Sequence, residues 1–305
     1  MTELYAFQDS LLEATIIESF GRHYTAVLAS GQPLHARPRG KRSDCAVGDK
    51  VQLRLTSKDE AVIEAIAPRR NVLMRAEEHR SKIFAANVDV LAYVVAPTPP
   101  VHDELLARTC TAALAAGITV WFILNKVDLI EAFAVLRQRI QHHAVASSRQ
   151  FELSARTGEG LEVLKTALKG QRVVFAGQSG MGKSTLLNAL YPQAKQIIGE
   201  LSTALSSGKH TTTASRMFQL SEHTELIDSP GFQAFGIAHL SRTELERGFP
   251  EFETYAPECK FYNCWHLDEP GCAIRKAVEN KTINPMRYAV FTRLMREAAE
   301  RVNRP

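Results

Sequence analysis

Five short segments carry residue types that could hold a nucleoside triphosphate. In chain order they are Asn125-Lys126-Val127-Asp128, Ser154-Ala155-Arg156, Gly177-Gln178-Ser179-Gly180-Met181-Gly182-Lys183-Ser184-Thr185, His210-Thr211-Thr212-Thr213 and Asp228-Ser229-Pro230-Gly231. Gly177 to Ser184 fits G-x-x-x-x-G-K-[ST], the pattern of a phosphate cradle. Its glycines let backbone N–H groups curl around phosphate oxygens without Cβ clashes. Lys183 would reach the β- and γ-phosphates, and the Ser184 hydroxyl would ligate Mg²⁺.

Such a loop does not choose between ATP and GTP; the first two segments do. The Asp128 carboxylate can accept from guanine N1–H and N2–H₂, whereas adenine would leave it unpaired, and a site of this kind rejects the wrong base strongly. Asn125 can bond the other edge of the base, and the Lys126 stem can pack on its face. The Ala155 N–H, next to Ser154, is expected to point at guanine O6. Asp228 would hold Mg²⁺ through water, Thr212 would complete the metal shell, and the Gly231 N–H could sense the γ-phosphate. Phe232 stands where many GTPases carry a catalytic glutamine, and an apolar side chain cannot orient water. Intrinsic hydrolysis is therefore expected to be slow, with His210 a candidate for the missing group. Taken singly, each segment also has a plain structural reading: a glycine turn, a helix start, or threonines in a strand.

The flanking sequence supplies the elements these residues need. Arg172-Val173-Val174-Phe175-Ala176 reads as a buried strand before the phosphate loop, and Leu186-Leu187-Asn188-Ala189-Leu190 as the helix after it. Ile118 to Leu124 is a continuous apolar run that puts Asn125 to Asp128 at a strand's carboxyl end, where open α/β sheets bind ligands. Glu225-Leu226-Ile227 forms a short strand before Asp228. The order of the motifs is rotated: the base-reading segment precedes the phosphate loop, although the strands can pair in the usual sheet.

A second constellation is Cys259-x₄-Cys264-x-His266-x₅-Cys272. Three thiolates and one imidazole in a turn-rich stretch suit one tetrahedral, structural Zn²⁺. Disulfides are the alternative. The cysteines number five, an odd count, and the start of the chain shows no secretory signal, which favours a reducing, cytoplasmic setting. Cys110 falls on an apolar helical stretch and reads as core; Cys45 lies in a basic loop and receives no role.

At 305 residues with 45% hydrophobic content the chain has ample material for more than one core. No apolar run approaches the roughly 18 residues of a membrane span. A net charge of +4 is mildly basic and does not by itself imply nucleic acid. Residues 1–70 show five short strands, Ala14–Ile17, Tyr24–Leu28, Pro33–Ala36, Lys50–Leu55 and Ala61–Ile66, punctuated by glycine turns. That count suits a small barrel of OB type. Arg37-Pro38-Arg39-Gly40-Lys41-Arg42 is either a solvated loop or an RNA contact. Pro68-Arg69-Arg70-Asn71 reads as the link to the next domain. After Pro285, Tyr288, Phe291, Leu294, Met295, Ala298 and Val302 form a helical stripe, with Arg287, Arg293, Arg296, Arg301 and Arg304 on the other positions as a solvated or phosphate-binding face. The expected fold is multidomain: an OB-like β-barrel (1–70), a central α/β circularly permuted P-loop GTPase domain (71–237), and a mainly helical zinc-binding domain (238–305).

With Lys82-Ile83-Phe84-Ala85-Ala86-Asn87-Val88-Asp89, Gly208-Lys209-His210-Thr211-Thr212-Thr213 and Cys259-Lys260-Phe261-Tyr262-Asn263-Cys264 added, essentially the whole chain resembles the ribosome small-subunit-dependent GTPase A family. The resemblance implies a cytoplasmic, monomeric GTPase, away from membranes, that is stimulated by the small ribosomal subunit, contacts its rRNA, converts GTP to GDP late in that subunit's maturation, and carries zinc and Mg²⁺. Two departures stand out: Met181 where the family usually has valine, and the bulky pair Phe261-Tyr262. Two other function classes stay open: an RNA-associated module that binds GTP with negligible turnover, and a GTPase acting on a non-ribosomal RNA partner.

Overall fold

The computed structural model describes residues 11–40, 44–76, 81–145, 147–192, 215–221, 224–228, 237 and 240–302. The chain begins with five strands, β1 (Leu12–Phe20), β2 (His23–Leu28), β3 (Pro33–Pro38), β4 (Lys50–Leu55) and β5 (Glu60–Ile66). Their order is β1-β2-β3-β5-β4, and β1 also pairs with β4, so the sheet closes on itself. Alternation explains the closure. On β3 and β4 every second residue is buried, and the inward set is Ala14, Ile16, Tyr24, Ala26, Leu34, Ala36, Val51, Leu53, Ala61 and Ile63. Alanines among the larger side chains let so small a barrel fill its interior. Cys45, which had no role in the sequence reading, is buried in this core. The basic run that begins at the end of β3 is not a set of free cations: Arg37 pairs with Glu60 at 3.2 Å and Arg39 with Glu64 at 2.8 Å, while Lys41 and Arg42 lie outside the described residues.

A hairpin, β6 (Val72–Ala76) and β7 (Ser81–Ala86), leads into the central sheet. That sheet contains β8 (Val90–Val95), β9 (Thr119–Asn125), β10 (Arg149–Leu153), β11 (Arg172–Ala176), β12 (Ser215–Ser221) and β13 (Thr224–Asp228), in the order β10-β9-β8-β11-β13-β12. All pairs are parallel except β12 with β13. Every residue of β8 is buried, as expected of a strand covered on both faces. The helices of this region are α1 (Asp103–Ala115), α2 (Ile130–Gln141), α3 (Leu161–Leu168) and α4 (Lys183–Leu190). Cys110 of α1 is core, and burial pushes its thiol up to about 12.

β12 pairs on its other side with β1 of the barrel, matching Glu18 with Arg216 and Ser19 with Ser215, so barrel and central sheet form one eleven-stranded ladder. Polar groups lock the seam. Asn87 donates to Gly48 O at 3.0 Å and accepts from Arg70 N–H at 2.9 Å, and Arg172 donates to Gly48 O at 2.8 Å. Arg69 forks onto the buried Asp49 at 2.7 and 2.8 Å. The Arg70 side chain donates to Asn87 O at 3.0 Å and Asn71 donates to Val88 O at 2.8 Å, so the segment read as a linker is pinned at each of its polar side chains.

The remaining chain forms α5 (Arg242–Arg247), two 3₁₀ turns (Pro250–Phe252 and Ala256–Glu258), α6 (Ala273–Glu279) and α7 (Pro285–Val302). Phe291, Leu294 and Met295 of the expected stripe are buried. Arg287 corrects the expectation for the tail. It is only 2% exposed, pairs with Glu251 at 2.8 Å, donates to Gly248 O at 3.0 Å, and lies 4.6 Å from the Phe249 ring centre. Arg293 pairs with Glu104 of α1 at 2.5 Å, so it fastens the tail to the central domain. Among the described residues of the basic set, Arg293 and Arg296 are exposed; Arg304 lies outside them, as does the Arg301 side chain.

Gly48 has φ +92°, and a Cβ there would be driven into Ala86 O. Gly48→Ala should therefore destabilise the protein by about 1–3 kcal/mol. Thermal melts of the two proteins measure this, and an unchanged Tm would mean that the seam yields without cost.

Candidate nucleotide site and metal cluster

The phosphate loop spans the end of β11 and the start of α4, where the structure needs three left-handed backbones. Gly177, Gly180 and Gly182 have φ values of +131°, +80° and +92°. A Cβ at Gly177 would strike Val94 O, and one at Gly182 would strike the Asn125 side chain. The first-turn N–H groups of α4 have no partner within the helix and are suited to an anion. Lys183 Nζ reaches back to Gly177 O at 2.5 Å and Gln178 O at 2.7 Å, so its charge sits over the loop. Burial lowers its pKa. Ser184 follows in the first turn of α4, beside Thr185.

The base-reading segments meet this loop directly. β9 ends on Asn125, and Lys126 takes φ +67° to turn the chain. Asn125 is 2% exposed. Its Oδ1 accepts from Lys126 N–H at 2.8 Å and from Ala155 N–H at 3.0 Å, and its Nδ2 donates to Met181 O at 3.0 Å. One amide thus joins three of the five motifs. This differs from the sequence reading, in which Asn125 and the Ala155 N–H were both aimed at the base. In this structure they face each other, because a buried amide must satisfy its own donors and acceptors. Lys126 also serves the loop: Nζ donates to Thr98 O at 2.6 Å and Gly180 O at 3.0 Å. Val127 N–H donates to Leu153 O at 3.1 Å, tying the segment to β10.

Asp128 is held by two donors, Ser154 Oγ at 2.6 Å and Arg156 at 2.7 Å. The Ser154 hydrogen bond holds its carboxyl below the usual carboxylate range. Each carboxylate oxygen keeps a further lone pair for a donor such as a base N–H. Sequence reasoning gave Arg156 no role; a cation two residues after Ser154 was the available signal. Gln178, which the sequence places in the phosphate loop, has a further part: its Oε1 accepts from His102 N–H at 2.6 Å and so fastens the loop to the segment after β8. Gly231, Thr212 and His210 lie outside the described residues, together with Phe232. Asp228 ends β13 opposite Arg216 in the β12 register, and its side chain is not described.

The second cluster assembles as the spacing suggested. The ligand atoms of Cys259, Cys264, His266 and Cys272 all lie within 4.8 Å of one another. Cys259 Sγ is 3.5 Å from His266 Nδ1 and 4.0 Å from Cys272 Sγ, and Cys272 Sγ is 3.6 Å from His266 Nδ1. Thiolate and imidazole ligands at zinc bonding lengths of about 2.0–2.3 Å would be roughly 3.4–3.8 Å apart in a tetrahedron, so this donor set fits one Zn²⁺. No two of these sulfurs are bonded: all the cysteines are free. His266 Nε2 faces Glu246 at 3.4 Å, the second hydrogen bond that orients a ligating imidazole. Tyr288 donates to His266 O at 2.7 Å and ties the cluster to α7. Against the opposing effect of burial, the Ala273 and Ile274 N–H groups hold the Cys259 thiol below its ordinary value. Bound there, zinc would supply cross-linking of the turns rather than an open coordination position.

A family model described as RsgA GTPase matches residues 66–238. A protein named small ribosomal subunit biogenesis GTPase RsgA from Burkholderia pseudomallei is 44% identical over 291 residues, covering 94% of this chain and 93% of its own. The protein of the same name from Bordetella pertussis is 45% identical over 289 residues, covering 94% and 96%. Among solved structures, YjeQ from Thermotoga maritima superposes with a TM-score of 0.75 at 26% identity over 97% of this chain and all of the other. YloQ, described as a circularly permuted GTPase, superposes with a TM-score of 0.72 at 23% identity over all of both chains.

Two outcomes follow from the site geometry. Asp128→Asn should lower the preference for GTP over xanthosine triphosphate by at least about tenfold, because xanthine presents an acceptor where guanine has a donor. Competition binding measures both affinities, and an unaltered ratio would remove Asp128 from base reading. Cys264→Ala should lose one equivalent of zinc and lower the melting temperature of the last domain, since a structural metal contributes folding free energy. Metal-free native protein with unchanged stability would count against the zinc assignment.

Proposed function

The chain belongs to the RsgA GTPase family, and we propose that it binds the small ribosomal subunit and hydrolyses GTP to GDP during late maturation of that subunit. The observation that carries the nucleotide chemistry is the Asn125 amide, which couples the base segment to the phosphate loop through Met181 O and Ala155 N–H. The ribosomal partner is supported by relatives named small ribosomal subunit biogenesis GTPase that align over nearly the whole chain.

In this reading the Lys183 ammonium stabilises charge that develops on the phosphates, and Asp128 reads guanine. Ser184, Thr212 and, through water, Asp228 hold Mg²⁺, which neutralises phosphate charge. The Gly231 N–H senses the γ-phosphate, and His210 is the candidate to replace the absent glutamine at Phe232. The division at 1–70, 71–237 and 238–305 sets a barrel and a zinc module on either side of the nucleotide domain. The protein acts as a cytoplasmic monomer with the subunit's rRNA as its surface of contact. No helix among the described residues is long and apolar enough to cross a membrane.

Turnover should be slow for the protein alone and rise steeply when small subunits are added. Lys183→Ala should abolish that rise, by 100-fold or more in order of magnitude, while its melting curve without nucleotide stays near wild type. If wild-type turnover is indifferent to subunits, the protein is instead a GTP-binding module of negligible turnover, or it serves another RNA.

A further inference from the structure

The turn between Cys259 and Cys264, with the residue after it, presents aromatic rings that neither the nucleotide site nor the metal cluster uses. Tyr262 is 102% exposed, and Phe261 and Trp265 are each 40% exposed. Single exposed apolar side chains are ordinary; three on one short loop form a patch that calls for a partner. The loop is also rigid. Cys264 N–H donates to Phe261 O at 3.2 Å and Lys260 N–H to Gly271 O at 3.1 Å. The Glu269 carboxylate accepts from Trp265 N–H at 2.9 Å and Leu267 N–H at 3.0 Å. A backbone tied in this way loses little conformational freedom on binding.

Cations accompany the rings. The Arg242 guanidinium lies 4.5 Å from the Trp265 ring centre and donates to Asn263 O and Cys264 O. Lys260 Nζ lies 5.4 Å from the Phe261 ring centre. Neither cation has a carboxylate partner among the described residues. Of the acidic groups on the loop, Glu269 is engaged by backbone N–H groups, and Asp268 is exposed.

We propose that this tip binds an unpaired RNA base, with the Tyr262 ring stacking on the base and Lys260 and Arg242 meeting the flanking phosphates. The proposal takes its RNA from the ribosomal reading above and adds the mode of recognition. A duplex hides its base faces, whereas a single strand offers a π-face beside each phosphate. The cations sit on the neighbouring rings, Lys260 on Phe261 and Arg242 on Trp265, and leave the Tyr262 ring open for a base, so ring and charge alternate as in that repeat; a patch for a purely apolar protein surface would have no use for the charges.

The test uses the full-length, zinc-loaded protein, a fluorescent oligouridylate, and a duplex RNA of equal length at matched salt. Tyr262→Ala should weaken oligouridylate binding about tenfold, Tyr262→Phe should stay close to wild type, and duplex binding should not separate the three. The chain has two tryptophans, and Trp121 is buried, so quenching of intrinsic fluorescence by oligouridylate should come from Trp265 and survive Trp121→Phe. Zinc content and melting curves establish that each variant is folded. Equal oligouridylate affinity for wild type and Tyr262→Ala overturns the proposal. If that variant nonetheless loses its hold on small subunits, the tip contacts a protein, which overturns it as well. Subunit-stimulated GTP turnover is measured separately on the wild type. Its absence alongside intact base stacking would sink the ribosomal reading and leave this one standing.

Discussion

Asn125 is a neutral amide in a buried place, and the arrangement around it follows from that. Its carbonyl oxygen and amino group cannot reach solvent, so each must find a partner inside the protein; an unmet buried group costs about 1–3 kcal/mol. The partners are Met181 O and Ala155 N–H, with the Lys126 N–H completing the set. Meeting those bonds fixes the distance between the ends of β9, β10 and β11. It also leaves no room for a side chain at Gly182, whose Cβ would strike the amide. The glycine is therefore required twice, for its backbone turn and for the space beside it. Gln178 and Lys126 repeat the pattern from other directions, bonding the loop to the segment after β8.

The same logic holds at the seam with the barrel. Gly48 brings its carbonyl close enough to receive both Asn87 and Arg172. Arg172 also pairs with Glu225 at 2.7 Å, so β11, β13 and the barrel share one cation. Because β12 hydrogen-bonds to β1 on one side and β13 on the other, the barrel is joined through backbone to the strand that ends at Asp228. On the far side, Arg108 of α1 pairs with Glu297 of α7, so the nucleotide domain is held from two directions.

Much of this was legible in the sequence, for definite reasons. The barrel strands alternate, the central strands are apolar runs, and the phosphate loop and the cysteine cluster have spacings that little else requires. The basic tail was read less well. Arg287, Phe291, Leu294 and Ala298 are spaced i, i+4, i+7, i+11, so Arg287 stands on the core stripe, and the period alone should have turned it inward. What the period could not supply was Glu251, the carboxylate that makes burial tolerable. The partners of Asn125 were hidden for a related reason: Met181 is 56 residues away, and nothing local marks a carbonyl as an acceptor. Cys45 likewise sits among charged residues in sequence and among apolar ones in space.

The rotated motif order also governs how the protein comes into being. During synthesis the barrel and the strands β8, β9 and β10 leave the ribosome before β11 exists. β8 then has β9 on one side and an open edge on the other, and every one of its side chains is destined for burial. An apolar edge of this kind invites pairing with the wrong chain. The Asn125 amide has no carbonyl to receive it until Met181 has been made, and Glu18 of the barrel waits for Arg216, 198 residues downstream. An unpermuted arrangement would lay down the central strand β11 first. Here the centre arrives late and closes a structure already half built, so the nascent chain has to keep a sticky strand shielded for the time it takes to translate roughly a quarter of the protein.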